Sequence, residues 1–175
     1  MSPSPLFIDN LAFSKKNERL EGNLTDSDCQ RLSDLLQADL KATSSTRGST
    51  IAIQYVLQGR SDKIGQHYLQ LTINANLIGT CQRCLSELPI NLALSFNYLI
   101  AELGANEADV NEIDSNDDID LQEASQTMDV VALVEDEIIM AMPIAPLHRD
   151  GCSAATMQSG EKPNPFAVLK GLIKP

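Results

Sequence analysis

The sequence predicts an α+β fold in which an antiparallel β-meander packs against two principal helices. Three segments alternate apolar and polar residues with a period of two, and two others carry apolar residues at the spacing of one helix face. With 43% apolar residues in 175, the chain can bury a core of its own. We therefore expect a single domain over residues 1–175, with an acidic flexible loop at 104–125 and a C-terminal tail at 149–175.

The N-terminal part of the chain is predicted to contain a short strand and the first principal helix. Residues 6–8 are expected to add a short strand to the sheet. The helix is expected over 26–41, because Thr25 is a suitable N-cap and Asp28 stands at the capping-box position. Cys29 is then a small core residue, as free cysteines often are. The inward stripe of this helix is Cys29, Leu32, Leu35, Leu36 and Leu40.

Three strands follow, and their alternation turns one side of each toward a common core. Turn-forming residues at 59–66 separate the first strand from the second. The connection at 81–89 separates the second from the third, so Cys81 and Cys84 fall at a hairpin tip. The three inward faces are Ile51, Ile53, Tyr55 and Leu57, then Leu69, Leu71, Ile73, Ala75 and Leu77, then Leu92, Leu94, Phe96, Tyr98 and Ile100.

The second principal helix is predicted over 127–142 and ends before Pro143. Further along, Asn164 is a suitable cap for a short C-terminal helical turn. The inward residues of the helix are Val130, Val131, Val134, Ile138 and Ala141. The residues expected to anchor the tail are Phe166, Val168 and Leu169.

The negative charge of the chain is concentrated in one stretch. The formal net charge is -11, and the 85–148 stretch holds fourteen acidic residues and no Lys or Arg. A field of this sign repels phosphate backbones and attracts cationic proteins, so RNA contact is expected to be local at most. The acidic residues expected to bind a basic partner are Glu107, Asp109, Glu112, Asp114, Asp117, Asp118 and Asp120.

The paired cysteines are the strongest local chemical signal. Cys81 and Cys84 on a tight turn can supply two thiolates to one Zn²⁺, and His148 and Cys152 could complete a Cys3His set. Two alternatives stay open. The cysteines could be unligated thiols at an exposed turn, or a thiol-redox pair, although redox catalysis requires the first Cys at a helix N-terminus.

The sequence contains no recognisable catalytic motif, and it has two His and no Trp. We therefore expect no enzyme. The alternatives are a C-x-x-C thiol-redox or zinc-dependent enzyme, and a direct RNA-binding module that uses basic residues at the hairpin tips. The N-terminus lacks a basic region followed by an apolar one, and no apolar run is long enough to span a membrane, so a cytoplasmic protein is expected.

Several blocks together resemble the bacterial YceD family, the large ribosomal RNA subunit accumulation proteins, over nearly the full length. They are Cys81-Gln-Arg-Cys84-Leu85 between two strands, the helix block at 129–143, Pro146-Leu-His148 with Cys152, and Asn164-Pro-Phe-Ala-Val-Leu169. Some relatives carry additional cysteines in the C-terminal part, where this chain offers only His148 and Cys152.

The resemblance implies a non-enzymatic role in the synthesis, processing or stability of large-subunit (23S) ribosomal RNA. It also implies a genomic association with a small zinc-ribbon protein of the large subunit, which makes that protein a candidate partner. Together with the charge map, this favours a basic large-subunit ribosomal protein or a pre-ribosomal particle as the partner.

Overall fold

A computed structural model describes residues 6–40, 51–101, 119–149 and 152, with the backbone alone for 37–40. Three helices and seven strands lie within these ranges. In chain order the elements are β1 (Phe7–Ile8), α1 (Asn10–Lys15), β2 (Arg19–Leu24), α2 (Gln30–Leu40), β3 (Ile51–Ser61), β4 (His67–Thr80), β5 (Glu87–Ala101), β6 (Ile119–Glu123), β7 (Met128–Asp129) and α3 (Val130–Ala141).

The main sheet has five strands in the order β2-β3-β4-β5-β6. The first four pair antiparallel, as the predicted meander requires, whereas β6 pairs parallel to β5. The strand expected at 6–8 forms, but it pairs with β7 in a separate two-stranded sheet. The prediction that it adds to the main sheet was therefore wrong, although the α+β class is confirmed.

The core lies on the inner face of this sheet, under the helices. Every residue predicted on the inner faces of β3 and β4 is buried, whereas Leu92, Leu94 and Phe96 of β5 are only half-buried. Cys29 is fully buried, as predicted. The sheet is thus well covered at its centre and less well covered along β5.

Helix α2 begins at Gln30, four residues later than predicted. The Thr25 hydroxyl donates to the Asp28 carboxylate over 2.8 Å, and that carboxylate also accepts the Thr25 backbone N–H over 2.9 Å. These bonds close a turn at 26–28, which replaces the expected first helical turn. Leu35 is 45% exposed, so its place in the inward stripe was also wrong.

Part of the predicted acidic loop is a strand. Ile119–Glu123 runs parallel beside β5, with Leu99 opposite Leu121. The range predicted for the acidic loop, 104–125, therefore extends too far. A short strand at the edge of the sheet shows too little alternation of apolar and polar residues to be recognised from the sequence. Asp120 lies on β6 and is exposed. The other acidic residues expected to bind a partner (Glu107, Asp109, Glu112, Asp114, Asp117 and Asp118) lie outside the described residues, as do Phe166, Val168 and Leu169.

Helix α3 begins at Val130, three residues later than predicted, because Asp129 caps it. The Asp129 carboxylate accepts the backbone N–H groups of Val131 and Ala132 over 3.0 and 3.1 Å. The predicted inward face is confirmed at Val130, Val131, Val134 and Ile138, which are buried, and Ala141 is half-buried.

The buried Glu135 carboxylate joins α3 to the start of α2. It accepts the Leu32 backbone N–H over 2.9 Å and the Arg31 guanidinium over 2.8 Å. Within the described ranges no helix is long and apolar enough to cross a membrane.

Candidate metal centre

The connection between β4 and β5 is a tight turn that turns two cysteines the same way. The Leu85 N–H donates to the Cys81 carbonyl over 2.8 Å, and the Cys81 N–H donates to the Ser86 carbonyl over 2.9 Å. Leu85 has a φ of 60°, a left-handed conformation that few non-glycine residues adopt. This backbone reversal brings the Cys81 and Cys84 side chains onto one side of the turn.

The segment after α3 supplies the other half of the site. Helix α3 ends before Pro143, and the chain then runs back to the hairpin tip, where the Pro146 carbonyl accepts the Gln82 N–H over 2.9 Å. His148 bonds the Glu87 carbonyl through Nε2 over 3.0 Å. These two contacts hold the segment against a turn that lies more than sixty residues earlier in the chain.

Three sulfurs and one imidazole converge at this point, so the structure brings together all four residues that the sequence nominated. The ligand atoms of Cys81, Cys84, His148 and Cys152 all lie within 4.8 Å of one another. The Cys81 and Cys152 sulfurs are 3.7 Å apart, and the Cys84 sulfur is 3.5 Å from His148 Nδ1.

These distances match a tetrahedral zinc site. With Zn–S bonds of about 2.3 Å and a Zn–N bond of about 2.0 Å, tetrahedral angles place two sulfurs about 3.8 Å apart and a sulfur about 3.5 Å from a nitrogen. Cysteine sulfur is too soft a ligand for Ca²⁺ or Mg²⁺, and it selects Zn²⁺, Cu(I) or iron–sulfur clusters. The donor set and its spacing therefore fit Zn²⁺.

The hydrogen bond on the far side of His148 supports the same assignment. A backbone carbonyl can only accept, so Nε2 of His148 carries a proton when it bonds Glu87. In the neutral ring the lone pair is then on Nδ1, which faces Cys84. Metal-binding histidines are commonly held in this way by a carbonyl or carboxylate.

The surroundings favour thiolates at the turn. Burial raises the pKa of the Cys81 thiol, but hydrogen bonds from the backbone of Cys84, His148 and Arg83 outweigh it and lower the pKa to about 5. Hydrogen bonds from the Ser86 side chain and backbone lower the pKa of Cys84. The Cys81 sulfur, with Cys84, raises the pKa of His148.

Arg83 faces Cys152. Its guanidinium Nε donates to the Cys152 sulfur over 3.0 Å. Burial nevertheless raises the pKa of the Cys152 thiol. Three thiolates around one Zn²⁺ leave a net charge of -1, which a guanidinium at this position compensates. Arg83 is one of the basic residues at the hairpin tips that the sequence offered for RNA contact. Its position between Cys81 and Cys84 in the sequence was the signal for this second role.

The geometry argues against the redox alternative. Cys81 follows a strand and precedes a turn, so it lacks the helix N-terminus that redox motifs use. Its side chain is 0% exposed, so a substrate disulfide has no access to the sulfur. The low pKa of Cys81 is therefore better suited to holding a metal than to attacking a substrate.

A family model described as Large ribosomal RNA subunit accumulation protein YceD matches residues 69–173. The chain belongs to the YceD family. The matched range begins in β4 and includes all four residues of the candidate metal centre. The family name describes a ribosomal RNA accumulation protein, which is not an enzyme name.

A curated relative of this YceD chain is the Large ribosomal RNA subunit accumulation protein YceD of Haemophilus influenzae (strain ATCC 51907 / DSM 11121 / KW20 / Rd). The two are 31% identical over 102 residues, which cover 53% of this chain and 57% of the relative. The chain thus spans little more than half the length of that relative. No solved structure matches the chain.

Proposed function

We propose that this YceD chain is a non-enzymatic ribosome biogenesis factor of the cytoplasm. It is needed for the accumulation of large-subunit (23S) ribosomal RNA, through the synthesis, processing or stability of that RNA. The observation that carries this proposal is family membership, since the family model covers residues 69–173 and is named for this property.

The second part of the proposal is that Cys81, Cys84, His148 and Cys152 bind one structural Zn²⁺. Four protein ligands fill the tetrahedral coordination of zinc, and no position is left for a water or a substrate. Catalytic zinc sites keep such a position open. A closed site supports a non-enzymatic role, in which the metal holds the β4–β5 turn against the segment after α3.

The third part concerns the partner, which is a basic large-subunit ribosomal protein or a pre-ribosomal particle. The net charge of -11 supports this choice, because it attracts cationic proteins and opposes broad contact with RNA. The acids at 107–120 bind this partner. The chain acts as a single domain over 1–175, with Phe166, Val168 and Leu169 anchoring its tail.

The cellular test removes the gene from its source organism and restores it on a plasmid. We expect the ratio of 23S to 16S ribosomal RNA to fall on deletion and to return with the wild-type gene. The Cys84→Ser gene should restore it poorly, while His67→Ala, at the other end of β4, should restore it fully. A ratio that deletion leaves unchanged would contradict the proposed function.

The partner is tested separately by affinity purification from growing cells. In the test variant, Asn replaces each Asp and Gln replaces each Glu between residues 107 and 120. The wild-type chain should retain basic ribosomal proteins, and the variant should lose them. Equal retention by both chains at low salt would contradict the role of these acids.

The second candidate is a thiol-redox enzyme, which the pKa of Cys81, lowered to about 5, favours and the burial of its sulfur opposes. Such an enzyme would reduce a disulfide substrate through Cys81 and Cys84. The purified chain with its metal in place should show no reduction of insulin disulfides in the presence of dithiothreitol. Turnover that Cys81→Ser abolishes would favour the enzyme over the structural site.

A further inference from the structure

A groove of about 460 Å³ lies between α3 and strands β5 and β6 of the main sheet. Phe96 and Tyr98 of β5 line it, with Leu121 of β6 and with Leu133 and Met140 of α3. It adjoins the part of the core where the inner face of β5 is incompletely covered, since Phe96 is only half-buried there. The groove is therefore an extension of the apolar core that opens to solvent.

The polar groups of the groove are mainly acidic. Asp120 and Glu137 are among its lining residues, and no Lys, Arg or His is among the described residues that line it. The Tyr98 hydroxyl donates to the Glu137 carboxylate over 2.8 Å. Burial, followed by the hydrogen bond to Glu137, raises the pKa of Tyr98, so the phenol keeps its proton and remains the donor. An apolar groove with two carboxylates is complementary to a ligand that is apolar and cationic.

The apolar surface continues beyond the groove. Met140, which lines the groove on the α3 side, is 81% exposed. Strand β6 is the last strand of the sheet among the described residues, so it presents an open edge beside Leu121. A ligand that fills the groove and also covers Met140 must be larger than the groove itself, which favours a protein segment over a small molecule.

We infer that this groove binds an amphipathic helix of a basic protein, with apolar side chains against Phe96 and Leu133 and with Lys or Arg side chains beside Asp120 and Glu137. Helix-in-groove binding of this kind uses apolar residues at helical spacing as anchors. The inference deepens the proposed function and rests on it for the class of partner, which is a basic component of the large subunit.

The test measures the binding of a defined peptide to the full-length chain. The probe is a fluorescent amphipathic peptide of Leu and Lys, about 16 residues long so that it can form a helix. A second peptide replaces every Lys with Glu. Fluorescence anisotropy at physiological salt gives the two dissociation constants, and we expect only the Lys peptide to bind.

Two double variants separate groove binding from general attraction to an acidic protein. The first variant combines Asp120→Asn with Met140→Gln, and both substitutions change residues that line the groove. Asp34→Asn with Ile64→Gln makes the same chemical change at exposed positions on α2 and at the β3–β4 turn, with the same change in net charge. We expect the groove variant to weaken binding about tenfold relative to its control, a difference of about 1.4 kcal/mol. Equal affinities of the two variants would overturn the inference.

Photo-crosslinking identifies what covers the groove. The full-length chain carries the substitution Met140→p-benzoylphenylalanine and is irradiated with the Lys peptide. A peptide adduct at this position supports the inference. A crosslink within the chain, to residues 153–175, or between two copies overturns it, because either would show a different occupant. Neither result bears on the 23S to 16S ratio, so the inference about the groove can be wrong while the proposed function stands.

Discussion

The two connections of β4 are similar in length but are closed by different interactions. Before β4, the Asp62 carboxylate accepts the N–H groups of Ile64 and Gln66 over 2.9 and 2.8 Å, and Gly65 adopts a φ of 95°. After β4, the turn that contains Cys81 and Cys84 faces His148 and Cys152, which come from far along the chain. The first connection closes with its own residues, whereas the second brings together the four side chains of the candidate metal centre.

This difference shows where an added ligand is needed. A carboxylate that accepts two backbone N–H groups makes an Asx-type turn without help. The lowered pKa values of Cys81 and Cys84 place negative charge at this turn, which one imidazole within 4.8 Å offsets only in part. A metal cation at this point would neutralise that charge, so we expect the second connection, and not the first, to depend on zinc.

The largest expected effect is therefore that of a metal-ligand substitution. Cys84→Ser should remove zinc from the purified chain and lower its Tm by about 10 °C, because the folded state loses the stabilisation of a tightly bound metal. The matched control is His67→Ala, beside the other connection, which should keep one zinc per chain. Calorimetry with metal analysis checks both variants. Equal Tm values for Cys84→Ser and the wild type would show that the second connection does not depend on zinc.

The second effect concerns the contact that holds the middle of α3, the helix before the candidate metal centre, against α2. Glu135 is 5% exposed and accepts the buried Leu32 N–H, so Glu135→Ala should lower the free energy of unfolding by about 2 kcal/mol. Asp136→Ala removes only an exposed pair with Arg31 and should cost about 0.5 kcal/mol. Urea unfolding measures both. A smaller loss for Glu135→Ala than for Asp136→Ala would contradict this role of Glu135.

A third prediction concerns Cys29, a buried thiol that lies outside the candidate metal centre. Burial, and then the carboxylates of Glu135, Asp28 and Asp26, raises the pKa of Cys29 to about 12 from its ordinary 9.0. Above pH 9 the unfolded chain loses this proton while the folded chain keeps it, so stability falls with rising pH. The Cys29 contribution has a slope of up to about 1.4 kcal/mol per pH unit.

The variant Cys29→Ala should remove that contribution. Its free energy of unfolding should therefore fall less steeply than that of the wild type between pH 9 and 10. Chemical denaturation at a series of pH values measures the two slopes. Parallel slopes would mean that Cys29 does not keep its proton in the folded chain.

The last prediction concerns the locally closed connection. Asp62→Ala removes two hydrogen bonds in an exposed turn and should lower the free energy of unfolding by about 1 kcal/mol. Zinc content should not change. Loss of zinc in this variant would show that the two connections are not independent.

The sequence predicted the parts of the molecule that depend on regular patterns. Strands β3, β4 and β5 alternate clearly, and their inner faces were identified residue by residue. Strand β6 could not be found in this way, because its five residues, Ile119–Glu123, show little alternation of apolar and polar side chains. Helix starts were misplaced where Asp28 and Asp129 formed side-chain bonds that spacing alone does not distinguish.

For the metal centre, the sequence provided the residues but not their proximity. The C-x-x-C pair indicated half a site, and only the return of the chain after α3 brings His148 and Cys152 to it. The role of Arg83 depends on that return, because its partner Cys152 is distant in sequence. The groove beside Tyr98 depends on β6, so it could not be predicted while that segment was expected to be a loop.

X-ray absorption spectroscopy at the zinc edge tests the central claim most directly, on the full-length chain purified without added metal. We expect one zinc per chain, surrounded by three sulfurs at about 2.3 Å and one nitrogen at about 2.0 Å. A chain that holds no zinc, or a zinc bound mainly by oxygen, would contradict it.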